Sequence, residues 1–86
     1  MKCIVALKDT AARVFGVPFV VQACPQAVRS LRDEVNSKDS TSDVKNHPDD
    51  FELYHVANFD DDTGFVSFDA TFPVLLVRAK DLRDPV

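Results

Sequence analysis

The chain has no tryptophan, one tyrosine, one methionine, two cysteines and two glycines. Each scarcity excludes something. Gly16 and Gly64 alone cannot build a phosphate-cradling glycine loop. Cys3 and Cys24 lack C-x-x-C spacing, so spacing points neither to a disulfide framework nor to a zinc site. Both sit beside apolar residues and read as buried free thiols of a reducing compartment. Neither a metal nor another cofactor is expected. No apolar stretch approaches the roughly 18–20 residues that span a bilayer. The segment Met1–Lys8 is too short and too soon charged for a signal peptide. A soluble cytoplasmic protein with no membrane partner is therefore expected.

What is present amounts to one small domain. Its 86 residues bury only roughly 60–65% of the surface that the unfolded chain exposes. Two-lobed, barrel and doubly wound enzyme architectures are excluded by size. The 45% hydrophobic and 28% charged fractions suit a globular domain rather than a disordered one. Net charge is −4, the wrong sign for a simple nucleic-acid binder. The charge is unevenly spread. Residues 1–38 hold six bases and three acids, and residues 39–86 hold four bases and eleven acids. Such asymmetry suggests one part able to meet an anion and another that repels it.

Periodicity gives the elements. The β-branched run Cys3–Leu7 predicts a buried strand, and Phe19–Gln22 a second. Asp9-Thr10-Ala11-Ala12 offers a capped turn, and Gly16 and Pro18 interrupt any helix. Pro25 at a first helical position opens a helix over 25–36, with Ala27, Val28, Leu31 and Val35 on one stripe. The polar, small residues that follow predict a mobile loop over 37–46. Phe51–Phe68 predicts a hairpin turning at Asp60-Asp61-Asp62-Thr63-Gly64. In its first strand Phe51, Leu53, Ala57 and Phe59 share one face. Val74–Val77 is apolar throughout and predicts a central strand covered on both sides. Residues 83–86 predict a frayed tail. The sum is a single α+β domain over 1–86, ordered β-β-α-β-β-β, with one helix packed on a mostly antiparallel sheet. One helix covers one face only. A homodimer is the economical cover for the other, and a closed barrel the alternative.

No constellation demands catalysis, and the chain is not expected to be an enzyme. Asp62-Thr63-Gly64 matches the aspartic-protease triplet, but three adjacent carboxylates belong in water and read as a turn. The same stretch fails as a calcium loop, since Thr71 stands where a bidentate glutamate would close it. His47 precedes a proline and His55 lies in a strand, with no helical pairing to make a metal or acid–base site. Arg29 and Arg32 are three residues apart on the helix and share a face. With Lys8 and Arg13 they are candidate phosphate contacts. Phe15, Phe19 and Tyr54 are candidate stacking platforms for single-stranded bases.

Longer runs carry a resemblance. Asn46-His47-Pro48-Asp49-Asp50-Phe51-Glu52-Leu53-Tyr54 is followed by Phe59-Asp60-Asp61-Asp62-Thr63-Gly64. Phe15-Gly16-Val17-Pro18-Phe19, Ala27-Val28-Arg29-Ser30-Leu31 and Val35-Asn36 agree in order. Over residues 3–79 the chain resembles the small nonstructural protein of gokushovirus-type microviruses, phages with single-stranded DNA genomes. The resemblance implies a DNA-binding accessory role in viral DNA synthesis or packaging, in the cytoplasm of an infected bacterium. It brings no catalytic residues, and Arg29 is its one matching residue with phosphate-contact chemistry. The nucleic-acid-binding candidates are thus Lys8, Arg13, Arg29, Arg32 and Tyr54, with single-stranded DNA as partner. The competing reading is an interaction module that binds a replication, host or procapsid protein through the acidic C-terminal half.

Overall fold

The longest strands are the two apolar runs nearest the chain's centre of pairing. In the computed structural model, which describes residues 1–85, β1 (Lys2–Asp9) and β4 (Phe51–Phe59) pair antiparallel along their whole length. The outer strands are short. On one side, β2 (Val14–Phe15) and β3 (Phe19–Val21) both pair with β1, separated by Gly16-Val17-Pro18. On the other side, β5 (Val66–Ser67) and β6 (Val74–Arg78) both pair with β4. The sheet is thus four strands wide, entirely antiparallel, and broken midway along each edge. Proline in the first break lacks the N–H that a continuous ladder requires.

Helix α1 (Cys24–Val35) lies on one face. Pro25 sits in its first turn, as its fixed φ favours. Its buried stripe is Ala27, Leu31 and Val35. These meet Val5 and Leu53 from the central strands, Val44, and Ala79 and Leu82 from a 3₁₀ turn after β6. Burying one such Val or Leu side chain stabilises by about 1.5–3 kcal/mol. The α+β class, the one main helix and the antiparallel sheet agree with the expectation from sequence, and the chain forms one domain. Among the described residues, no helix is long and apolar enough to cross a membrane.

Four details depart from that expectation. First, 37–46 is not all loop. A short helix α2 (Asp43–Asn46) forms within it, with Ser42 accepting from the Lys45 N–H and Val44 buried in the core. Second, β6 is an outer strand, not a central one. A bulge at Leu76 turns both Leu76 and Val77 toward the core and leaves Leu75 outward. That irregular pattern produced the unbroken apolar run. Third, β4 does not alternate cleanly. A bulge at Val56 shifts its register against β1, so Ala57 pairs with Ile4 on the face away from α1, while Leu53 stays in the core. Fourth, β2 was not foreseen, because two residues are too few for a period-two signal. At the C-terminus, the Asp84 N–H donates to Asn36 Oδ1 at 2.8 Å. Val86, part of the expected frayed tail, lies outside the described residues.

Candidate functional site

Strand register places the even residues of β1 on the face opposite α1. Four rows cross this open face. Phe15, Lys8, Glu52 and Arg78 form the first, and Ala6, Tyr54 and Leu75 the second. Val20, Ile4 and Ala57 form the third, and Lys2, Phe59 and Val66 the fourth. Ala6 and Ala57 are buried between larger neighbours. By contrast Phe15 is 39% exposed, Val20 51% and Val66 56%.

An aromatic pair occupies one end of the face. Phe15 and Tyr54 meet edge to face with ring centroids 5.3 Å apart. The Lys8 ammonium stands 5.7 Å from the Phe15 ring centroid, within cation–π reach. The Tyr54 hydroxyl donates to Glu52 Oε1 at 2.9 Å, and Arg78 Nε donates to Glu52 Oε2 at 3.3 Å. The Glu52 contact favours the protonated phenol and raises its pKa above the ordinary tyrosine value. The face carries three bases, Lys2, Lys8 and Arg78, against one acid, Glu52. It is basic on a chain that is acidic overall.

The five residues singled out from sequence do not form one site. Lys8 and Tyr54 come together at the aromatic pair. Arg13 stands in the turn before β2, at the same end of the sheet, with φ of 59°. Asp9 Oδ1 organises that turn by accepting from the N–H groups of Ala11 and Ala12. Arg29 and Arg32 are on the far layer. They line a groove along α1 with Cys24, Pro25 and Val28. Arg78 was missed because its partner row depends on the register of β6, which no local pattern reveals. Phe19 pairs with Val5 on the α1 side, so it takes no part in the open face.

A second cluster lies beneath α1. Cys3 of β1, Cys24 at the start of α1 and His55 of β4 bring one sulfur or nitrogen atom each to within 4.8 Å of one another. Cys24 Sγ donates to Cys3 Sγ at 3.1 Å. Burial, followed by this contact, pushes the Cys24 thiol up to about 11. His55 Nε2 is 3.0 Å from Asn58 Oδ1, and the ring packs edge to face against Phe72 at 4.8 Å. The two thiols are free. Their proximity to each other and to His55 arises from β1–β4 pairing and the docking of α1, not from sequence spacing.

The acidic turn after β4 is a hydrogen-bonded loop. Asp60 Oδ1 accepts from the N–H groups of Asp62 and Thr63, and Gly64 closes it with φ of 80°. These bonds hold the Asp60 carboxyl below the ordinary aspartate value. The Asp60 carboxylate is spent on turn geometry, in keeping with the reading of Asp62-Thr63-Gly64 as a turn, while Asp61 Oδ1 lies 3.9 Å from the N-terminal amine.

No curated protein and no solved structure matches the chain. The family model described as Phage ORF5 protein matches residues 2–82, which include both central strands, the helix and both clusters. The chain therefore belongs to the Phage ORF5 protein family.

Proposed function

We propose that this phage protein is a non-enzymatic accessory factor that binds single-stranded DNA on its open sheet face. Phe15 and Tyr54 stack bases, and Lys8, Arg13 and Arg78 contact phosphates. The observation that carries this reading is the conjunction of the exposed Phe15 ring, the half-buried Tyr54 ring against it and basic side chains on an uncovered sheet. Base–aromatic stacking supplies about 1–3 kcal/mol per base and tolerates any sequence. Exposed sheet aromatics are also how other small sheet domains hold single strands. The basic excess of this face answers the objection raised by the acidic whole, since a strand laid there meets local charge first. The resemblance to gokushovirus-type nonstructural proteins supports a role in viral DNA synthesis or packaging, in the infected cell's cytoplasm. Arg29 and Arg32 are too far around the molecule to share this strand.

The test is binding of the full chain to a labelled oligothymidylate. Three phosphate contacts predict a log–log salt slope of about −2. Tyr54→Ala should cost about 1–3 kcal/mol of affinity, and Lys8→Glu should weaken binding further. Arg29→Glu with Arg32→Glu should leave it nearly unchanged. Absence of binding by folded protein at low salt overturns the proposal. So does a pattern in which only the helix variants matter.

A second reading has its own observation. Phe65 and Phe68 are each 73% exposed beside the acidic turn Asp60–Asp62. That combination suits a basic, apolar surface on a viral or host protein. In that case Phe65→Ser would abolish partner capture while DNA affinity is unaffected. The homodimer expected from the uncovered sheet belongs to the open face, so a second copy and a DNA strand compete for it.

A further inference from the structure

We propose that Cys3, Cys24 and His55 bind one zinc-class divalent cation. The three donors come from three elements, two central strands and the helix start, so only the folded chain assembles them. Two thiolates and one imidazole are a donor set that zinc accepts, leaving a fourth position for water. Zinc–sulfur bonds of about 2.3 Å at a tetrahedral angle place two sulfurs roughly 3.8 Å apart. The sulfurs lie 3.1 Å apart and every donor pair lies within 4.8 Å. The required spacing falls inside that range, and shifts of no more than about 1 Å close the shell. All three side chains are half-buried, which gives an ion both an entry path and partial exclusion of water.

One further feature favours a cation over an inert thiol pair. Asn58 Oδ1 beside His55 Nε2 restrains the ring, as the hydrogen-bond partners of ligating histidines do. The pair is also close enough to suggest a disulfide, but a disulfide has no use for the third donor. The site does not depend on DNA binding, because it lies on the opposite side of the sheet from Phe15 and Tyr54. It would fasten the start of α1 to both central strands.

The experiment titrates the full, reduced chain with cobalt(II) as the optical probe, then displaces it with zinc. The expected result is one ion per chain. It carries a thiolate-to-cobalt charge-transfer band and the intense visible bands of a four-coordinate site. Cys3→Ser and His55→Ala should each weaken binding by more than about tenfold, a loss larger than that from most neighbouring positions. As a check that needs no variant, zinc should protect both cysteines of the unmodified chain from alkylation. Absence of both bands in reduced, folded protein overturns the site. Bands that survive in Cys3→Ser, or alkylation unaffected by zinc, overturn it too.

Discussion

Gly64 ends the acidic turn in the left-handed region, where L side chains are strained. A Cβ built there meets nothing within 4 Å. The cost of Gly64→Ala is therefore conformational rather than steric, about 1 kcal/mol. For a domain of this size that lowers Tm by about 4–8 °C in a thermal scan. Arg13 shows the same backbone state without a glycine, held by the Asp9 carboxylate beneath its turn. The residue identities at turns were legible in the sequence, because Asp, Gly and Thr act on their immediate neighbours. Lys8 and Tyr54 were also found by residue type. Their meeting with Phe15 was not, since it depends on which residues of β1, β2 and β4 fall in register.

At the scale of elements, α1 ends on a small carboxylate–hydroxyl network. Glu34 Oε1 accepts from the hydroxyls of Ser40 and Ser42, the latter at 2.6 Å. Ser42 also caps α2. One side chain thereby ties the long helix to the short one. These hydrogen bonds, Ser40's above Ser42's, hold the Glu34 carboxyl below its ordinary value. The folded chain then takes up this proton less readily than the unfolded chain. The contribution to stability is complete above the unfolded glutamate pKa of about 4.3, and is lost as pH falls through the lower folded value. A carboxyl-detected NMR titration should place the Glu34 midpoint below that of an ordinary glutamate, with Ser40→Ala moving it back up. A midpoint unchanged by Ser40→Ala would contradict this account. The long helix was readable from its apolar stripe and Pro25. The short one was not, because four residues carry no stripe and Val44 is its single buried anchor.

On the scale of the whole molecule, helices on one side of the sheet leave the other uncovered. Face composition was legible only after register. Leu75, for example, reads as core in the run Val74–Val77 and lies outward because of the bulge at Leu76. The proposed competition for the open face has a direct readout. Sedimentation of the chain alone should show concentration-dependent pairing. An oligothymidylate added in excess should convert pairs to single chains on DNA. If DNA instead joins intact pairs, the second copy does not use this face. Like charges also argue for weak pairing, since Lys8 and Arg78 on one copy face the same basic patch on another.

The broken edges of the sheet bear on a different matter, the behaviour of the chain when it is abundant. A sheet grows into a fibre when an outer strand offers a long uninterrupted row of free N–H and C=O groups as a template. Here the longest outer strand has five residues, and the others have two or three. Neither side templates an added strand far. Blunt edges of this kind work against strand-by-strand growth of the sheet into a fibre, however concentrated the chain becomes.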